Sequence, residues 1–367
     1  MLYHFLAPLH EYHIVFNLFR YLTFRAAGSM ATALILSFLL GPWIIARLRA
    51  LRVGQIVREE GPTEHLAKAG TPTMGGVLIL VATLVSTVLW ANLTAWNVVI
   101  CLVVLIWTGA LGFLDDYLKV VRKRTEGLVA RYKLVGQGVI GLLVAVALLL
   151  LPIVRNPTWT TVPFFAEWHV EFYWWAFIPW VMLVLAGSSN AVNLSDGLDG
   201  LAAGLAAIAA ATFGVFAYLI GRVDTSDYLG LMYIAGAGEL TVFCVALAGA
   251  ALGFMWFNAH PADVFMGDTG SLALGGAIGA VAILLKMEFL LVVVGGVFVL
   301  EAVSVILQVG FFRYSVRRHG TGRRLFEMAP LHHHFEQKGW AESKVIIRFW
   351  ILGILCSLMA FSTLKLR

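Results

Sequence analysis

GVLILVATLVSTVLWANLTAWNVVICLVVLIWTGALGFLDDYLKV, residues 76–120, carries no charged side chain before Asp115. The uncharged run begins upstream, at Ala69, and ends at Leu114. About 20 apolar residues carry a helix across a bilayer. The run holds two such helices, divided at the polar stretch 92–97. Membrane barrel strands would alternate polar and apolar residues. Runs such as LLVAVALLLL (142–151) do not, so the spanning elements are helices.

Working outward, the same reading places ten spans at 26–46, 74–94, 97–114, 134–154, 173–190, 200–220, 237–257, 270–285, 289–311 and 345–364. The expected fold is all-α: a polytopic membrane protein of ten transmembrane helices, in one integral domain covering 1–367. Composition agrees. The chain is 60% hydrophobic and only 13% charged, with a mean hydropathy of +0.87. A soluble domain carries about 25% charged residues, so a soluble fold is excluded. Cys101, Cys244 and Cys356 each fall inside an apolar span, without metal-ligand spacing, and read as small buried hydrophobes. Residues 1–24 mix aromatic and polar types, as an interfacial segment does.

Basic residues gather in cytoplasmic loops. Segments 47–68, 115–133 and 312–348 hold 19 of the 26 Lys and Arg. They follow the first, third and ninth spans, so a ten-span count puts all three on one side and both termini on the outer, periplasmic side. The pI of 9.2 is then a topology signal and does not call for nucleic acid.

Four polar clusters fall on that same cytoplasmic side, in loops 115–133, 188–200, 258–269 and 312–344; the basic loop 47–73 joins them. Asp115 and Asp116 close the third span. Neighbours on a helix point about 100° apart, so they suit two roles, such as metal ligand and base, better than one. Asn190, Asn193, Asp196 and Asp199 recur every third residue, a spacing that shares one helical face; helix capping would explain one of the four, and Gly197 and Gly200 signal a loop. Asn258, His260, Asp263 and Asp268 precede the eighth span, where Asp268 alone would read as an N-cap. Phe265 reads as a ring to stack on a base, or as an interfacial anchor. His332, His333 and His334 splay around a helix, which argues against a shared zinc. Together the carboxylates, amides, histidines, Lys68 and Lys133 suit Mg²⁺ and a diphosphate, hence phosphoryl transfer at the inner membrane surface.

The stretches GTPTMGG (70–76), FLDDYLK (113–119), NAVNLSDGLDGLA (190–202), WFNAHPADVFMGDTGSLALGG (256–276), FVLEAVSVILQVG (298–310) and MAPLHHHFEQKGW (328–340) run nearly the length of the chain. In them the sequence resembles the phospho-N-acetylmuramoyl-pentapeptide transferases, within the wider polyprenyl-phosphate hexosamine-1-phosphate transferases. The resemblance implies Mg²⁺ and a cytoplasmic active site in a bacterial inner membrane. The implied substrates are UDP-N-acetylmuramoyl-pentapeptide and the membrane lipid undecaprenyl phosphate, the products lipid I and UMP, and the assembly a homodimer. It makes Asp268 the Mg²⁺ ligand, Asp115 the base, and Asp116 its partner or a group behind the metal. Asp199 and Phe265 become a uracil-reading pair. Asn190, Asn193, Asp196 and Asn258 would hold ribose, phosphates or metal, and Lys133 with His332–His334 would neutralise the diphosphate. Direct attack and a phospho-aspartyl intermediate both remain open, and Glu301 and Gln308 share a face of the ninth span. The sequence departs from the family pattern where Ala69, not a basic residue, precedes GTPTMGG, which leaves the role of Lys68 open. The rivals are a UDP-N-acetylglucosamine transferase of the same superfamily, a transporter and a non-catalytic scaffold. A transporter would place its ionisable groups near the membrane midplane.

Overall fold

The computed structural model describes residues 1–50, 70–123, 127–165 and 168–365. Its ten longest helices, among the described residues, are α1 Leu22–Ala50, α2 Gly76–Trp90, α3 Trp96–Val120, α4 Ala130–Leu150 and α5 Trp174–Ser195. They continue with α6 Leu201–Ile220, α7 Glu239–Asn258, α8 Gly267–Leu284, α9 Gly296–His319 and α10 Glu342–Ser362. Each expected span falls on one of them. Nine are long and apolar enough to cross a membrane, and α2 is shorter, at 15 residues. At 1.5 Å per residue α2 spans about 22 Å, less than the roughly 30 Å hydrocarbon core.

Two spans differ from the sequence expectation for local reasons. Before α2, residues 72–76 run beside the loop that leads into α8. Phe265 N–H bonds Pro72 O at 2.8 Å, and Gly75 and Gly76 N–H bond Phe265 O and Met266 O, both at 2.9 Å. Those bonds hold the chain out of helix until Gly76. The ninth span divides into a short helix, Glu288–Val294, and α9, joined through Gly295. A two-stranded hairpin, β1 Trp159–Thr161 and β2 His169–Glu171, is the one sheet among the described residues.

The core is organised around α8. Its sequence, GDTGSLALGGAIGAVAIL, is rich in Gly and Ala, and every residue from Thr269 to Leu284 is buried. Small residues let helices approach closely in a membrane, where apolar surface gains little by leaving lipid. Accordingly α8 packs against α3 and α5 and also meets α2 and α6. By contrast α9 is mostly exposed and touches α5 and α10. One end of α8 therefore delivers Asp268 into the centre of the bundle.

Candidate active site

Asp115 and Asp116 do not end their helix, as the apolar run suggested; α3 continues one more turn, to Val120. Both are buried, Asp115 at 0% and Asp116 at 4% exposure. They divide the work. Asp116 faces the start of α8: Oδ1 accepts from Asp268 N–H at 3.1 Å, while Oδ2 accepts from Thr269 N–H at 2.9 Å and Thr269 Oγ1 at 2.6 Å. These are amides that a helix start leaves without intrahelical partners, and no side chain of α8's own N-cap residue, Met266, satisfies them. Asp116 thus caps α8 from a neighbouring helix. Asp268 sits in the first turn and does not act as the cap that its sequence position suggested.

The approach of α3 to α8 requires glycine twice. A Cβ on Gly112 would lie 2.1 Å from Asp268 O. Gly267 has φ +71, and a Cβ there would lie 2.7 Å from Asp116 Oδ2.

Asp115 turns the other way. Its Oδ1 accepts from Leu128 N–H at 2.7 Å. Its Oδ2 contacts the ammonium of Lys119, one turn on, and lies 3.4 Å from Lys133 Nζ. Asp268 Oδ2 lies 3.2 Å from Lys119 Nζ and 2.7 Å from Lys133 Nζ. Two lysines from two helices therefore bridge Asp115 and Asp268. Carboxylate oxygens of Asp115, Asp116 and Asp268 come within 4.8 Å of one another. This all-oxygen donor set fits a hard divalent cation such as Mg²⁺. Each of the three also has partners in the protein: Asp116 the α8 amides, Asp115 the Leu128 N–H and the lysines, and Asp268 the lysines.

The Asn–Asp stripe breaks where Gly197 and Gly200 suggested. Helix α5 ends at Ser195, which leaves Asp196 as its C-cap and Asp199 in the following turn. Asn190 faces sideways: its Nδ2 donates to Gln137 Oε1 at 2.8 Å, and Gln137 donates to Ser189 Oγ at 3.2 Å. Asn193 is half-buried. Burial, then the charges of Asp268, Asp116 and Asp199, push the Asp196 carboxyl up to about 8, while the Gly267 N–H pulls it down.

A second cluster holds the 196–200 turn. Asp199 Oδ2 accepts from Ala262 N–H at 3.1 Å and lies 3.3 Å from His260 Nδ1. Glu342 Oε1, at the start of α10, accepts from Asp199 N–H at 3.0 Å, and its Oε2 lies 3.3 Å from His260 Nδ1. Asn258 is spent on structure, accepting from Gly200 N–H at 2.9 Å and donating to Val264 O at 2.8 Å. Phe265 is half-buried, with its backbone paired to residues 72–75.

The three histidines have three environments. His332 is buried against Glu301. His333 pairs with Glu336 at 2.6 Å. His334 accepts from Glu327 N–H at 3.1 Å and meets Phe326 edge-on. Gln308 bonds the backbone of Leu325 and Phe326, so this residue of α9 reaches the loop beyond its own helix. Lys68 lies outside the described residues.

Sequence reasoning did not single out Lys119, Gln137, Thr269 or Glu342. Lys119 was findable, being four residues after Asp115 and so on its face. Glu342 and Thr269 carried no local signal.

A helical membrane bundle with carboxylates and lysines converging at one end of a buried helix fits the class of membrane-embedded transferases, and the comparisons with known proteins place the chain there. The profile of glycosyl transferase family 4 matches residues 96–286, and signature 1 of the phospho-N-acetylmuramoyl-pentapeptide-transferases matches residues 68–80. Proteins named phospho-N-acetylmuramoyl-pentapeptide-transferase from Gemmatimonas aurantiaca, Desulfatibacillum aliphaticivorans and Citrifermentans bemidjiense are 57%, 53% and 53% identical over the whole of both chains. The chain belongs to the phospho-N-acetylmuramoyl-pentapeptide-transferase family.

Proposed function

We propose that the protein transfers phospho-N-acetylmuramoyl-pentapeptide from its UDP donor to undecaprenyl phosphate, giving lipid I and UMP in peptidoglycan synthesis. The observation that carries this reading is the Asp115–Lys119–Lys133–Asp268 cluster, at the end of the buried helix α8, in a chain of this family. In this reading all ten long helices span the bacterial inner membrane, both termini face outward and the cluster faces the cytoplasm. The protein works as a homodimer.

Lys119 and Lys133 hold the donor diphosphate, supplying the charge-assisted contacts that phosphate needs. A phosphate oxygen of the lipid attacks the sugar-bearing phosphorus, the bond from that phosphorus to the bridging oxygen breaks, and the electron pair leaves on UMP. Mg²⁺ held by Asp115 and Asp268 would offset charge on the diphosphate and on departing UMP. A phosphate monoester is largely ionised at neutral pH, its second pKa being about 6, so Asp115 has little proton to remove and serves to hold and orient. Both of its oxygens are engaged, by Leu128 N–H and by the lysines, which makes it a poor nucleophile and favours direct transfer. Asp116 fixes Asp268 through the α8 amides. Asp196, Asp199 and Phe265 receive the nucleotide, with Asn193 beside them, and Asn190 and Asn258 brace that pocket. The polyprenyl chain lies along the exposed apolar face of α9, which includes Leu300, Val303, Ile306 and Leu307.

The test is product analysis. Purified protein given UDP-N-acetylmuramoyl-pentapeptide and undecaprenyl phosphate should yield lipid I and UMP in equal amounts by mass spectrometry. UDP-N-acetylglucosamine should yield neither. Turnover of the hexosamine nucleotide alone would overturn the assignment.

A further inference from the structure

The reaction described above gives no role to the buried acid of α9. Glu301 projects from α9 with 0% exposure, on a helix that is otherwise largely open to its surroundings. Its carboxylate reaches the short helix Leu331–Gln337: Oε1 accepts from His332 N–H at 3.2 Å, and Oε2 lies 3.2 Å from His332 Nδ1. His332 is likewise fully buried. A ring nitrogen facing a carboxylate carries the ring proton, which settles the orientation of the imidazole and leaves the other nitrogen as the one on offer.

That nitrogen, Nε2, is buried and has no hydrogen-bond partner among the described residues. It points at Gly197: a Cβ built on residue 197 would lie 2.2 Å from Nε2. The ring therefore occupies the place of a side chain in the 196–200 turn. The same turn is fixed further on by Glu342, at Asp199 N–H, and by Asn258, at Gly200 N–H. At Gly197 it is met by an unfilled polar atom. Buried polar atoms without partners are costly, and one aimed into a substrate-holding turn points to a ligand group.

We infer that Glu301 is a positioning residue for the transfer, holding His332 so that Nε2 is presented at Gly197 to the nucleotide half of the donor. Among the three histidines, His332 is then the one that meets substrate. The inference rests on the transferase reading given above. Its effect falls on the nucleotide and not on the lipid acceptor.

A double-mutant cycle on Glu301 and His332 tests this, with both KM values read from UMP release. Wild-type turnover comes first; its absence would count against the transferase reading itself and not against Glu301. Loss of a carboxylate that orients a functional histidine typically costs about 10–100-fold. Glu301→Gln should raise KM for the UDP donor on that scale, with KM for undecaprenyl phosphate unchanged. His332→Asn keeps a donor for Glu301 and removes Nε2, so it should be at least as damaging while keeping the wild-type melting temperature. His332→Gln, whose amide oxygen can stand in for Nε2 as an acceptor, should recover part of the loss. In the His332→Asn background, Glu301→Gln should add little, because there is no ring left to orient. Full additivity, equal rises in both KM values, or an unimpaired His332→Asn protein would overturn the inference.

Discussion

The two ends of the helix bundle both bury charge, and they do it differently. Far from the site, Arg25 at the start of α1 meets Glu239 at the start of α7 in a two-pronged pair, both contacts 2.6 Å, and Asn92 N–H adds a third bond to the acid at 2.9 Å. Glu239 stands 19 residues along α7 from Asn258, about 28 Å from the turn that Asn258 holds. One acid and one base cancel there. At the site end, the cations beside Asp115, Asp116 and Asp268 among the described residues are Lys119 and Lys133. Nothing in a purely structural core would favour that imbalance, since uncompensated buried charge costs several kcal/mol. The balanced end is a clamp. In the proposed function the unbalanced end receives a cation and a phosphate-bearing substrate.

Substitutions at the two ends should separate these roles. Asp268→Asn should give the largest effect: turnover falls about 10⁴-fold, the scale of losing an essential active-site carboxylate, while the melting temperature holds. Glu239→Ala strips the partner from a buried guanidinium and should cost roughly 3–5 kcal/mol of stability, seen as a lower melting temperature with unchanged turnover per folded molecule. Equal turnover loss in both variants would erase the distinction between the ends. Lys119→Met should weaken donor binding by about 10–100-fold, the worth of a charge-assisted contact, read as KM for the UDP donor. Thr269→Val removes one bond to Asp116 at constant shape and should cost only about 1 kcal/mol. Its effect should appear in turnover, because Asp116 holds Asp268 through the same helix start.

The helices were legible because the bilayer makes a demand that any sequence must meet in plain view. Long apolar runs locate α1 to α10, with the largest displacement at α9, where the expected span 289–311 divides at Gly295, and basic loops suggest their sidedness. Tertiary bonds were hidden, as where Phe265 and Met266 hold residues 72–75 out of helix. The acids of the site were also legible, since Asp115, Asp116 and Asp268 interrupt apolar surroundings. Their division of labour was not. Neighbours 115 and 116 differ because α8, more than 100 residues further along the chain, starts beside one, and Lys133 of the next helix reaches the other. The resemblance makes Asn190 and Asn258 substrate ligands, yet their amides are taken by Gln137 and by Gly200 and Val264. Periodicity shows which face a residue is on, but not what stands opposite. Glu301 was noticed as an acid within a span, and its partner in the 331–337 helix followed only from the fold.

The most direct measurement follows UMP release from UDP-N-acetylmuramoyl-pentapeptide and undecaprenyl phosphate across an Mg²⁺ titration, for wild-type, Glu239→Ala and Asp268→Asn proteins. The unbalanced cluster as reaction centre predicts Mg²⁺-dependent release from the wild type, the same release per folded molecule from Glu239→Ala, and none from Asp268→Asn. Release independent of Mg²⁺, or undiminished in folded Asp268→Asn protein, would contradict it.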